Sequence, residues 1–229
     1  MAADILTVPT LIEVAAVTGG AISGALHAKK KRMDFMGIGF VAVCTGVGGG
    51  AIRDVLLGNA VPIFLLQNYV LMAAIGAVAG YFFGRLVSEL EPAIYALDTL
   101  LIGAWVVIGA EKALALGLSN SAAVFLGITT AIGGGLLRDV LCRNIPTALM
   151  PGQWVAAAAL VAAVLFVSIE YFTDLRAVAE GAAIVSAAAL RILSARFNWV
   201  TPDAVDASAR LRRWLGLDRR GAEPARQWP

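Results

Sequence analysis

The sequence is poor in the residues that build most enzyme active sites and metal centres. Its 229 residues include one histidine and two cysteines, and only 15% of the residues are charged. The single histidine, His27, has no second histidine, cysteine or acidic partner at metal-ligand spacing, so we expect no metal site or cofactor and interpret it as a surface residue. A lone histidine also gives little support to hydrolase chemistry, and we predict that the protein is not an enzyme.

The scarce cysteines and the glycine patterns exclude two further classes of site. Cys44 and Cys142 are too few for a disulfide framework, and we expect both to be small buried apolar residues. The glycine-rich stretches lack the Gly-x-x-x-x-Gly-Lys-[Ser/Thr] spacing of a P-loop and the strand–turn–helix context of a dinucleotide fingerprint. We therefore expect no nucleotide binding. We also expect no nucleic-acid partner.

Apolar residues are abundant instead, at 59% of the chain, and the mean hydropathy is +0.81. A helix needs about 20 mainly apolar residues to cross about 30 Å of hydrocarbon. Seven stretches meet this requirement, at residues 9–28, 34–57, 64–87, 93–113, 120–142, 153–173 and 177–197. The sequence therefore predicts an all-α membrane protein with seven transmembrane helices.

Positive charge is concentrated at two places along the chain. The basic loop after the first predicted span consists of Lys29, Lys30, Lys31 and Arg32. Eight arginines lie between Arg191 and Arg226, so the positive-inside rule places the N-terminus outside and the C-terminus in the cytoplasm. We expect the basic loop to face membrane lipids. The tail beyond residue 198 is predicted to be either a short helix on anionic lipid or disordered.

The chain contains an internal repeat with an offset of 85 residues. Its most similar segments read GVGGGAIRDVLLG from residue 46 and AIGGGLLRDVLCR from residue 131. Each repeat unit holds three spans, an odd number, so the second copy must enter the membrane from the opposite side. We therefore divide the chain into a first three-helix repeat (1–90), an inverted second repeat (91–175), a seventh helix (176–198) and a basic cytoplasmic tail (199–229).

Each repeat carries three consecutive glycines inside an apolar span. The two triplets are Gly48, Gly49, Gly50 and Gly133, Gly134, Gly135. A glycine inside a helix costs about 1 kcal/mol relative to alanine, and adjacent residues point to different faces. We therefore predict kinked or unwound turns whose carbonyl oxygens line a cation pathway, together with the hydroxyls of Thr45 and Thr130. Close packing of the second and fifth spans through the glycines is the alternative.

An Arg-Asp pair follows each triplet, and ionised groups inside a span indicate a functional site. In the predicted topology Glu13 lies at the depth of Arg53, and Asp98 lies at the depth of Arg138. We therefore expect two buried salt bridges, one in each repeat.

Those salt bridges would leave Asp54 and Asp139 free, one toward each mouth of the pathway. An excess of negative charge there favours cations and opposes anions. Anchoring at the membrane interface, with the side chains reaching water, is the alternative for Arg138 and Asp139.

The two copies of GGGxxRDxL, together with GALHAKKKRMDFMG at residues 24–37, resemble the prokaryotic trimeric intracellular cation channels, a family that also carries a glycine-transporter label. The resemblance covers roughly residues 9–197. It implies a seven-helix protomer with two inverted three-helix repeats, a homotrimer with a pore in each protomer, and potassium-selective conduction. It also implies kinks at the two triplets and is consistent with a prokaryotic cell membrane.

Three functions follow as hypotheses. The leading one is a monovalent-cation channel, with potassium favoured by the resemblance and not by residue chemistry. The alternative is a secondary transporter of a small zwitterion such as glycine, because inverted repeats with broken helices are at least as typical of carriers. A structural membrane protein without a pathway would leave the buried Arg-Asp pairs unexplained.

Overall fold

The fold consists of α-helices joined by short connections in the part of the chain that the structure describes. The computed structural model describes residues 10–58, 69–83, 91–150, 154–173 and 175–199. Its helices are α1 (Thr10–Lys30), α2 (Phe35–Leu56), α3 (Tyr69–Phe82), α4 (Glu91–Ala115), α5 (Asn120–Leu141), α6 (Val155–Thr173) and α7 (Arg176–Arg196), with a 3-10 turn at Thr147–Leu149. Each helix falls on one of the seven predicted spans, and no strand occurs in these ranges. The predicted seven-helix, all-α class is confirmed.

The surface of these helices is apolar. Within the described residues, α2, α5, α6 and α7 are long and apolar enough to cross a membrane, and α3 is a shorter apolar helix. Large side chains such as Phe40 (63% exposed) and Phe125 (59%) point away from the protein interior. Extended exposed apolar surface indicates contact with lipid or with another protein.

The helices α2 and α5 begin and end in the same way. The side chains of Asp34 and Ser119 each accept a hydrogen bond from the backbone N–H three residues later, at 2.7 and 3.3 Å, and so cap the two helices. Each helix is followed by a left-handed residue, Gly58 (φ 68°) and Arg143 (φ 55°). All of these positions are related by the 85-residue offset.

Small side chains fill the spaces between the helices. α1 packs against α2 and α3, α4 packs against α5 and α6, and α7 packs against α4 and α6. The contact surface of α1 is built on Ala21, Ala25 and Ala28, which are fully buried. Alanine allows helix backbones to approach closely, and the two halves then meet where α2 crosses α5.

Both central helices run through their glycine triplets without a break. The α-helical backbone is continuous from Phe35 to Leu56 and from Asn120 to Leu141. The predicted unwound turns at residues 48–50 and 133–135 are therefore wrong, and α2 and α5 are not broken helices. The crossing of the two helices explains why each carries three glycines without unwinding.

Candidate functional site

The glycine triplets lie at the crossing of α2 and α5. A Cβ atom added to Gly49 would overlap the carbonyl oxygen of Thr130, and one added to Gly134 would overlap the carbonyl oxygen of Thr45. The two backbones are in direct contact, which a residue larger than glycine would prevent. Close packing through the glycines, the alternative that the sequence left open, is what the structure shows.

Within each triplet, the first two glycines pack against the opposite helix and the third borders open space. A Cβ atom on Gly48 or Gly133 would lie only 3.3 or 3.1 Å from a glycine Cα of the opposite helix. A Cβ atom on Gly50 or Gly135 would meet only an arginine side chain of its own helix, at 3.7 and 3.9 Å. The third glycine of each triplet therefore has room beside it.

That room belongs to a cavity of about 320 Å³ bounded mainly by α1, α2, α4 and α5, with Val155 of α6, Arg191 of α7 and the 3-10 turn also in its lining. The predicted pathway residues that line it are Thr45, Gly49, Gly50, Thr130, Gly134 and Gly135. The other four are not among its lining residues, namely Gly48, Asp54, Gly133 and Asp139. The structure thus brings the triplets and threonines of both repeats to one cavity, with the two aspartates beyond it.

The hydroxyl groups of Thr45 and Thr130 can act only as hydrogen-bond acceptors toward groups outside their own helices. Each hydroxyl donates a 2.7 Å hydrogen bond to the carbonyl four residues earlier in its own helix, on Val41 and Leu126. Because each proton is used within the helix, only the oxygen lone pairs remain for another group. The two residues therefore offer hydrogen-bond acceptors, the kind of group that a cation prefers.

Asp54, at the end of α2, is held between two cationic side chains. Its Oδ1 atom accepts hydrogen bonds from Arg53 Nε at 2.8 Å and from Lys112 Nζ of α4 at 2.6 Å. The side chain of Asp54 is 1% exposed. The expectation that Asp54 remains free is wrong, because two cations compete for its charge.

Asp139, at the end of α5, has a different set of partners. Its Oδ1 atom accepts a hydrogen bond from Arg138 Nε at 2.8 Å, and its Oδ2 atom accepts bonds from the backbone N–H and hydroxyl of Thr147 at 2.8 and 3.0 Å. Arg138 also donates from Nη1 to the Ser23 hydroxyl of α1 at 3.1 Å. Asp139 is 2% exposed, so it is neither free nor a water-facing anchor.

The side chains of Glu13 and Asp98 lie outside the described residues. The salt bridges Glu13–Arg53 and Asp98–Arg138 therefore stay predictions. What the structure adds is that each arginine is bonded to the aspartate next to it in sequence. Sequence reasoning missed this because adjacent helix residues do not face each other, and only the length of the arginine side chain lets it turn back.

His27 is half-buried and is not a surface residue. Its Nδ1 atom lies 2.8 Å from the carbonyl oxygen of Ser23, and it lines the cavity together with Arg138 and Thr147. The expectation was wrong because α5 and the segment after it cover this face of α1. The sequence contained one indication that His27 is not an ordinary surface residue. Lys112, the residue 85 positions later, is also ionisable.

The basic loop is exposed along its length, at Lys29, Lys30, Lys31 and Arg32. One of its lysines, Lys29, donates from Nζ to the carbonyl oxygen of Tyr81 at 2.9 Å and so ties the loop to α3. The contact of the loop with lipid stays a prediction. Of the two free cysteines, Cys142 is buried as expected, whereas Cys44 is only half-buried.

The sequence of the chain is similar to those of known membrane proteins. A family model described as Glycine transporter matches residues 10–85 and 95–171. A membrane protein of Deinococcus radiodurans is 33% identical over 76% of this chain and 82% of the relative. The inner membrane protein YadS of Escherichia coli K12 is 36% identical over 55% of this chain and 62% of the relative.

The fold is similar to solved structures as well. The TRIC trimeric intracellular cation channel orthologue from Rhodobacter sphaeroides has a TM-score of 0.76 and 32% identity, over 85% of this chain and 100% of that chain. A second solved structure, described as the structural basis for conductance through TRIC cation channels, has a TM-score of 0.79 and 29% identity. The match covers 87% of this chain and 98% of that chain. Together with the apolar seven-helix fold, these matches show that the chain is an integral membrane protein belonging to the prokaryotic TRIC family.

Proposed function

We propose that the protein is a monovalent-cation channel that favours potassium, with a pore in each protomer of a homotrimer. The observation that carries this proposal is the cavity between α1, α2, α4 and α5, lined on both repeats by the threonines and the third glycines. Solved relatives are described as trimeric cation channels, which supports the ion class and the trimer. The potassium preference comes from the family resemblance alone.

The cavity offers oxygen atoms to a hydrated cation, and Arg138 and Arg191 also line it. A volume of about 320 Å³ is far above the roughly 10–15 Å³ that a single water molecule needs. Thr45 and Thr130 line the cavity, and their oxygen atoms would replace part of a hydration shell. Because Asp54 and Asp139 are already paired, the preference for cations would rest on oxygen dipoles, and we expect only modest discrimination between potassium and sodium.

The membrane arrangement is part of the same proposal. The two halves form inverted repeats with boundaries at residues 90 and 175, followed by the seventh helix to residue 198 and the basic tail. Helix caps, glycine contacts and Arg-Asp pairs that recur 85 residues apart support this division. With the N-terminus outside, Asp54 lies toward the exterior and Asp139 toward the cytoplasm. The inner-membrane relative in Escherichia coli supports a prokaryotic cell membrane.

Recordings in planar lipid bilayers test this function. Unitary currents that reverse at the cation equilibrium potential in potassium, sodium and chloride gradients are expected. Thr45→Val and Thr130→Val remove the hydroxyls of two cavity-lining residues at nearly constant volume and should lower the unitary conductance. Thr129→Val is the matched control, because this threonine makes the same bond to its own helix but is not among the cavity residues. Chloride-selective currents, or none, would contradict the proposal.

A secondary transporter of glycine is the second candidate. It is favoured by the description of the matching family model and by Arg138 and Ser23 at the cavity, which could hold a carboxylate. Saturable, ion-coupled uptake of labelled glycine into proteoliposomes, without unitary currents, would establish it. Either transport function makes the protein a non-enzyme.

A further inference from the structure

His27 and Lys112 occupy equivalent positions in the two halves of the chain, 85 residues apart, near the ends of α1 and α4. Their neighbours are equivalent too. Lys112 bonds to the Arg-Asp pair of α2, and His27 lines the cavity beside Arg138, which belongs to the Arg-Asp pair of α5. The repeat therefore places an amine at one end of the molecule and an imidazole at the other.

Lys112 shows which contact a positively charged side chain makes at this position of the repeat. Its Nζ atom lies 2.6 Å from Asp54 Oδ1, and the lysine side chain is 15% exposed. Lysine is protonated throughout the physiological pH range, so this end of the molecule carries a permanent positive charge here. Histidine, in contrast, gains or loses its charge between about pH 5 and pH 8.

The surroundings of His27 contain few groups that could offset an added proton. The charged residues that interact with it or share its cavity are Arg138 and Asp139 of α5, Arg191 of α7 and, on its own helix, Lys30. Among the described residues of α2, α3 and α4, no charged side chain lines the cavity. The only carboxylate in this set, Asp139, is already bonded to Arg138 and Thr147.

We propose that His27 is a proton-sensitive residue of the conduction pathway, placed by the repeat where Lys112 stands in the other half. With a neutral imidazole, the cavity end formed by Ser23, Arg138 and Thr147 passes cations. Protonation adds a positive charge beside Arg138 that no free carboxylate in this set offsets, and the added charge repels a permeating cation. The inference rests on the proposed channel function and concerns regulation of the same cavity.

The test is bilayer recording with the pH varied on the side of the membrane that His27 faces, predicted to be the cytoplasm. The protein must lack a polyhistidine tag, because His27 is then the only histidine in the chain. The cation current should fall at least about threefold between about pH 8 and about pH 5.5. His27→Gln should hold the current high at both pH values, and His27→Lys should hold it low at both.

Two controls separate the possible outcomes. Lys31→Gln removes an exposed charge of the basic loop that is not among the charges named above and should leave the pH response intact. Trimer elution and thermal unfolding show whether each variant is folded, so a low current in His27→Lys is not mistaken for loss of structure. A wild-type current that is equal at both pH values, or a His27→Gln protein that keeps the response, overturns this inference alone. Absence of current in every variant overturns the channel function with it.

Discussion

Among single residues, Asp54 receives hydrogen bonds from both Arg53 and Lys112 while its side chain is 1% exposed. Asparagine has no charge to balance two buried cations, so Asp54→Asn should lower the free energy of unfolding by about 3–5 kcal/mol. Thermal or denaturant unfolding of the detergent-solubilised protein measures this.

The matched control for Asp54→Asn is Glu180→Gln. Glu180, whose side chain is 23% exposed, pairs with Arg176, whose side chain is 42% exposed and which keeps Glu111 as a second partner. Exposed ion pairs contribute about 0–1 kcal/mol, so this variant should unfold nearly as the wild type does. Equal losses in the two variants would show that burial does not strengthen the Asp54 contacts.

The Arg-Asp pairs also show what sequence reasoning could and could not provide at this scale. The charges were recognisable as unusual because ionised residues are rare inside apolar spans. Their bonding was not, since the sequence suggested that Arg53 and Arg138 needed distant acids and left Asp54 and Asp139 free. The covering of His27 by α5 depends on helix packing, which no local pattern reveals.

At the scale of elements, the helices were predictable because each needs only a local run of apolar residues long enough to cross a bilayer. The triplets were ambiguous for a physical reason. Glycine both weakens a helix and lets two backbones touch, and the sequence does not say which property is used. Only the position of α5 against α2 shows that Gly49 and Gly134 serve to let the two backbones touch.

Alanine substitutions within α2 test this contact. In Gly49→Ala the added methyl group meets the carbonyl oxygen of Thr130, and we expect the free energy of unfolding to fall by about 1–3 kcal/mol. Gly39→Ala is the control on the same helix, because nothing lies within 4 Å of its added Cβ atom. That variant should be stabilised by roughly 0.5–1 kcal/mol through helix propensity. Similar unfolding curves for both would refute the packing role.

Substitution of Gly135, the third glycine of the second triplet, tests conduction separately from helix packing. An alanine at position 135 meets only Arg138, at an ordinary 3.9 Å, yet its methyl group enters the cavity. Gly135→Ala should therefore be about as stable as Gly39→Ala, roughly 0.5–1 kcal/mol above the wild type, while its unitary conductance in bilayers is reduced. An unchanged conductance would place the ion pathway elsewhere, whereas a large loss of stability would mean that the position is packed after all.

At the scale of the whole molecule, the exposed apolar surface must be shared between lipid and other copies of the chain. Native mass spectrometry of the protein released from detergent should give a mass three times that of the 23.8 kDa chain. The trimer is expected from the resemblance and from the described oligomeric state of a solved relative. A predominant monomer in mild detergent, with bilayer currents retained, would show that the protomer conducts without assembly.

The direct backbone contact at Gly49 and Gly134 has a mechanical consequence. Both central helices are continuous and their backbones touch around Gly49 and Gly134, so a change in the crossing angle would turn each helix about this contact, which acts as a pivot. The pivot is off-centre, since Gly49 lies about 21 Å from the start of α2 but only about 10 Å from its end at 1.5 Å per residue. A tilt of about 10° then shifts the far tip by roughly 4 Å and the near tip by roughly 2 Å. The repeat gives α5 the same unequal arms.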